Sequence, residues 1–152
     1  MHCYEESEIM TYRYLDDIAT ADVAFEARGK TVEEIFVESA DALMNVMIAE
    51  LQTIHPKEEM DLQLENEELD MLLFDFLNEF VFYKDARQLL LRVKTIAIDS
   101  IGGRYLLRAT VGGEHLDLSR HRQLVDVKAV TLHRFRVEKT QGGWRAEIVL
   151  DI

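Results

Sequence analysis

The apolar residues between positions 22 and 83 fall into four segments whose period alternates, two, then about 3.6, then two, then about 3.6, and this order constrains the fold more than any other feature. Val23, Phe25 and Ala27 alternate with Ala24, Glu26 and Arg28, the pattern of a strand with one buried face. Gly29-Lys30 ends it, and Thr31-Val32-Glu33-Glu34 is a capping box, in which the Thr31 hydroxyl and the Glu34 carboxylate each accept a free N–H at a helix start. Val32, Ile35, Phe36, Leu43, Val46 and Met47 then recur at helical steps, and the pattern fades before His55-Pro56, the only proline. Met60, Leu62 and Leu64 predict a second, short strand with an acidic outer face. Leu69, Leu72, Leu73, Phe76, Leu77, Phe80 and Val81 predict a second amphipathic helix running to about Tyr83, with Glu67-Glu68 at its positive end. Beyond it the chain is rich in Val, Ile, Leu and Thr, and Gly102-Gly103, Gly112-Gly113 and Gly142-Gly143 read as turns between four or five antiparallel strands.

Strand, helix, strand, helix and a run of strands predict an α+β two-layer sandwich, with two helices packed on one face of a mostly antiparallel sheet. Residues 1–10 lack an apolar period and carry Glu5, Glu6 and Glu8, so they read as a flexible N-terminal extension, and 11–152 as a single domain. A 152-residue chain that is 48% hydrophobic can fill one such core.

Several function classes are excluded or disfavoured. Apolar runs such as Leu89-Leu90-Leu91 and Ile96-Ala97-Ile98 are far short of the roughly 20 residues of a membrane span, and no signal-peptide pattern opens the chain, so a cytoplasmic protein with no membrane contact is expected. Cys3 is the only cysteine, which rules out an internal disulfide. The net charge of −12 argues against direct nucleic-acid binding. It is unevenly spread: residues 1–91 carry 6 Lys+Arg against 22 Asp+Glu, residues 92–152 carry 11 against 7. That polarity suits docking on a basic protein or holding cations, and equally a solvated acidic surface. Nucleophile elbows, phosphate loops and His-Glu-x-x-His are all missing. His115, His121 and His133 are spaced wrongly for zinc; His121, in a loop, reads as a hydrogen-bonding residue and His133 as a strand residue.

Asp22 opens the first buried-face strand, and Asp151-Ile152 follows directly on the strand Trp144 to Leu150. If these meet, two aspartates and the terminal carboxylate of Ile152 would repel one another unless a hard cation such as Ca²⁺ or Mg²⁺ joined them. Spacing alone favours three unrelated surface carboxylates. Lys128 and Asp126 lie on one face of Val125 to Thr131 and predict an exposed ion pair. Gly142-Gly143-Trp144 reads as a hairpin turn followed by an aromatic anchor.

Taken together, the chain resembles the archease family from about Tyr12 to Ile152. The likeness rests on Tyr14-Leu15 leading to Thr20-Ala21-Asp22-Val23; on Gly29-Lys30-Thr31 with Glu34; on Leu72-Leu73 and Leu77-Asn78-Glu79. It continues through Gly113-Glu114 with Asp117, Arg120 and His121, Val127-Lys128-Ala129 with Thr131 and His133, and Gly143-Trp144 followed by Leu150-Asp151-Ile152. The resemblance implies a non-catalytic accessory protein of the GTP-dependent tRNA-splicing RNA ligase, one that promotes ligase guanylylation and multiple turnover. It implies a divalent metal, Ca²⁺ first with Mg²⁺ or Mn²⁺ as alternatives, held by Asp22, Asp151 and Ile152, and a partner-activating role for Lys128. The alternative within the same resemblance is a chaperone-like modulator of a tRNA methyltransferase. Ala19 stands where the family usually has His, and Phe76 where Trp is frequent, a change that a core tolerates.

Overall fold

The computed structural model describes residues 10–15 and 22–152. The flexible extension expected over 1–10, and Ala19 with its neighbours, fall almost wholly outside the described residues. Strand β1 (Thr11–Leu15) is followed by β2 (Asp22–Gly29), helix α1 (Val32–Met47), a 3-10 turn (Leu51–Thr53), β3 (Glu58–Asn66) and helix α2 (Leu69–Arg87). Then come β4 (Leu89–Ile101), β5 (Arg104–His115), β6 (Ala129–Val130), β7 (Arg136–Lys139) and β8 (Trp144–Asp151). This is the α+β architecture expected, all its strand pairs antiparallel, with the strands divided into two sheets. One runs β1-β2-β8-β6, with β7 also on β8; the other runs β3-β5-β4. Both helices pack against strands of both sheets, so one apolar cluster serves the whole.

The helices follow from their apolar stripes. Ile35, Phe36, Leu43 and Met44 of α1 and Leu72, Leu73, Phe76 and Phe80 of α2 are all essentially inaccessible. Phe36 and Phe76 meet at 5.7 Å between ring centroids, and Phe76 meets Phe80 at 5.1 Å edge to face, the arrangements that aromatic quadrupoles favour. Thr31 caps α1, accepting from the Glu34 N–H at 3.1 Å, while the Glu34 carboxylate accepts from Lys30 rather than from Thr31 itself. Helix α2 runs a turn beyond the expected Tyr83, because Lys84 and Arg87 complement its negative end and Gln88 closes it in the left-handed region.

Three sequence expectations are corrected. Strand β3 is nine residues long rather than short, since every residue from Glu58 to Asn66 finds a partner on β5. Gly112-Gly113 is no turn but the end of β5: β4 crosses so closely that a side chain at Gly113 would run into the Leu90 carbonyl. His133 sits in a turn, not on a strand. The Gly102-Gly103 turn is as expected, a two-residue hairpin with both φ values positive, at 59° and 77°. Among the described residues no helix is long and apolar enough to cross a membrane.

Candidate metal centre at the end of the five-stranded sheet

Pairing of β2 with β8 sets like against like. Asp22 faces Asp151, Glu26 faces Glu147, and Arg28 faces Arg145, all on the sheet face that points away from the helices, while Val23, Phe25 and Ala27 point inward. Like charges directly opposite are unfavourable, and the two acidic pairs are treated differently.

The Glu26–Glu147 pair is enclosed by arginines. Arg145 donates through Nε to Glu26 at 2.8 Å and through Nη2 to Glu147 at 2.9 Å, bridging the two carboxylates diagonally. Arg13 and Arg28 donate to the other Glu26 oxygen at 2.7 and 3.2 Å, and Arg134 reaches Glu147 at 2.9 Å. Burial pushes the Glu26 carboxyl up, but the bonds from Arg13, Arg145 and Arg28 outweigh it and hold it at about 2. Glu26 is therefore 3% exposed although the sequence alternation assigns it to the solvent side.

The Asp22–Asp151 pair has no such partner: among the described residues neither carboxylate takes part in an ion pair or accepts a side-chain hydrogen bond. Both residues are partly exposed, and Ile152, next in the chain, lays its side chain on the apolar core. The donor set is all oxygen, which fits a hard cation and not zinc. Among the described residues no three His, Cys, Asp or Glu side chains converge on one point, so two aspartates would need main-chain oxygens and water to complete a shell.

Lys128 comes to the same place through its backbone. Its N–H donates to the Asp151 carbonyl at 2.8 Å, and the side chain is exposed. The expected Asp126–Lys128 ion pair does not form. Asp126 is taken by Lys84 of α2 at 2.7 Å, and among the described residues Lys128 has no acidic partner.

Of the histidines, His121 is used structurally. His121, 2% exposed, accepts the Asp117 N–H on Nδ1 at 2.9 Å, so the proton is on Nε2, which donates to Glu114 at 2.9 Å and lies 3.2 Å from the Thr53 carbonyl. Burial raises the Glu114 carboxyl, and Arg120 at 2.6 Å, the His55 N–H and His121 together bring it far below its ordinary range. The Gly113-Glu114, Asp117, Arg120, His121 group is thus a clamp, buried at Glu114 and His121 and open to solvent at Asp117, that ties the loop after β5 to the 3-10 turn. Nothing local marks Glu114 as buried in the sequence; only its grouping with Asp117, Arg120 and His121 could have pointed to it.

These positions can be set beside known proteins. The model of the Archease protein family (MTH1598/TM1083) matches residues 12–152. The protein archease of Pyrococcus furiosus is 35% identical over 134 residues, covering 88% of this chain and 94% of its own. That of Methanosarcina mazei is 34% identical over 142 residues, covering 93% and 95%. Among solved structures, protein 1598 of Methanobacterium thermoautotrophicum superimposes with a TM-score of 0.80 at 30% identity, covering 93% of this chain and 98% of that one. The Thermotoga maritima archease, described as a possible chaperone, gives 0.62 at 21% identity, a likeness of fold alone. With a family match over nearly the whole chain and relatives of its own length above 30% identity, this chain belongs to the archease family.

Proposed function

We propose that the protein is a non-catalytic, metal-binding accessory of the GTP-dependent tRNA-splicing RNA ligase, which it activates by promoting guanylylation and repeated turnover. The observation that carries this reading is the Asp22–Asp151 pair, which has no basic partner among the described residues, with Lys128 bonded to its backbone. Elsewhere on the same face a like-charged pair is neutralised from within the protein, so a bare pair calls for a cation from outside. Asp22, Asp151 and the main-chain oxygens of Ile152 would hold it, with Ca²⁺ preferred over the smaller Mg²⁺ because a partly exposed, two-carboxylate site is easily completed by water at a high coordination number. A bound cation would supply positive charge and an ordered shell at this end of the sheet, next to the Lys128 ammonium. The acidic first half, from residue 1 to 91, offers a surface for a basic partner.

The test is a guanylylation assay of the ligase from the same source, with and without the protein. Wild type should stimulate, and Asp22→Ala and Lys128→Ala, both at partly or fully exposed positions, should fold but lose about tenfold or more of that stimulation. Full stimulation by both variants would refute the site. Because the Thermotoga relative is described as a possible chaperone, recovery of a tRNA methyltransferase instead of the ligase with the tagged protein would favour the modulator reading.

A further inference from the structure

Residues Leu116 to Lys128 form neither a helix nor a strand beyond one isolated bridge of Gln123 to Ile48, yet they carry Lys128 from the end of β5 to the end of β8. This strap borders a cavity of about 220 Å³ whose walls include Met47, Lys84, Gln88, Leu90 and Val125. Packing anchors it at the buried His121 and Val127, while the exposed stretch from Arg122 to Asp126 between them is held by discrete bonds. The Leu124 N–H donates to Met47 at 2.7 Å and the Val125 N–H to Val46 at 3.4 Å. The next two residues are held by one side chain, Lys84, whose Nζ donates to the Asp126 carboxylate at 2.7 Å and to the Val127 carbonyl at 2.8 Å, with Asp85 as its third acceptor.

An ammonium has three N–H donors, and here each has an acceptor. The Lys84 side chain is only 12% exposed, and burial disfavours its charge, but the two aspartates more than compensate and its pKa lies above the ordinary lysine value. A largely buried lysine that spends two of its three donors on one strap, the third going to Asp85 of its own helix, is more than a helix-terminal charge. The Val127 carbonyl and the Lys128 N–H belong to the same planar peptide unit. Lys84 holds its oxygen, and the Asp151 carbonyl holds its N–H at 2.8 Å. One rigid plane therefore links α2 to the strand end that bears Asp151, and Lys128 leaves from it.

We propose that Lys84 is a positioning residue: by clamping the Val127–Lys128 peptide it sets the place of Lys128 beside the Asp22–Asp151 pair. The proposal rests on the reading of Lys128 as the residue that acts on the ligase. Lys84→Met keeps the aliphatic stem and removes the donors. Amide hydrogen exchange on the isolated protein should then show Lys128 and Leu124 exchanging about tenfold or more faster, with the β4–β5 amides unchanged. Maximal stimulation of ligase guanylylation should fall by a similar factor while the concentration for half-maximal effect stays within about twofold, since Lys84, only 12% exposed, presents little surface to a partner. Lys84→Arg, which retains charge and donors, should recover part of both. Asp126→Ala, at an exposed carboxylate, weakens the same clamp without threatening the fold and should give a smaller effect in the same direction. Unchanged exchange at Lys128 in Lys84→Met, or loosened exchange with full stimulation, overturns the proposal. Full stimulation by Lys128→Ala would instead refute the reading on which it rests, and the exchange data would still decide whether the clamp exists.

Discussion

Two acidic pairs on one face of the five-stranded sheet, four residues apart along β2 and β8, have opposite surroundings. At Glu26–Glu147 four arginines from four different segments converge, and a like-charged pair becomes part of a closed ionic network. At Asp22–Asp151 the same strands bring together two carboxylates with no basic partner among the described residues. The backbone pairing that creates the repulsion is the same, so the difference lies in side chains alone. The first pair is a structural device complete within the protein. The second is left open, and an open pair of hard oxygen donors is the local condition for binding a cation. Neither pair would distinguish itself by sequence type, since each is simply two acids on facing strands.

The comparison can be broken most severely at the enclosed pair. Glu26→Ala removes the carboxylate that Arg13, Arg28 and Arg145 share, leaves Arg145 only Glu138 and Glu147, and should cost about 2 to 3 kcal/mol in chemical denaturation at neutral pH. A loss below about 1 kcal/mol would mean that the arginines merely cover the sheet. A smaller effect is expected at Glu38 of α1, a third case: buried like Glu26 but without the arginine cage. Burial first, then Asp41 and Glu34 on its own helix, raise its carboxyl from 4.5 to about 7, with Arg92 of β4 opposing; Tyr12 of β1, itself raised by burial, Asp41 and Glu38, faces the same group. A pKa raised on folding contributes stability that is complete below the unfolded value, near 4.5, and is lost as pH rises through about 7. Glu38→Gln should therefore flatten the stability profile between about pH 5 and about pH 8, and be more stable than wild type at the upper end by about 1 to 2 kcal/mol after allowance for solvent screening. A pH profile identical to wild type would remove Glu38 from the account.

The parts of this fold that were legible in the sequence are those set by neighbours in the chain. The capping Thr31, the apolar stripe from Ile35 to Met47 and that from Leu69 to Val81 are local patterns, and the helices stand where they predict. Gly112-Gly113 misled because a glycine pair looks the same whether the chain must turn or a second strand must come close, and only the path of β4 distinguishes them. The length of β3 depends on how far β5 accompanies it, which no pattern in residues 58–66 reveals. The arginine cage was invisible for the same reason: Arg145 is 119 residues from Glu26. At the candidate site, Asp22 and Asp151 were named from the family resemblance, and the β2–β8 register places them face to face. Lys84 was missed because a lysine in the last turn of a helix is fully accounted for by the helix dipole, until the strap that it bonds is seen.

The smallest energy difference tests the central claim most directly. Thermal unfolding of wild type and Asp22→Asn should be compared as calcium is raised from a chelated start. Without the ion, the variant should be more stable by about 0.2 to 1 kcal/mol, because it removes one of two facing like charges. As calcium is added, the wild-type midpoint should climb with the logarithm of its concentration while the variant's stays level, so that the order of stability reverses. A variant whose midpoint climbs in parallel with wild type, or a wild type indifferent to calcium, would contradict the assignment of the open acidic pair as a metal site.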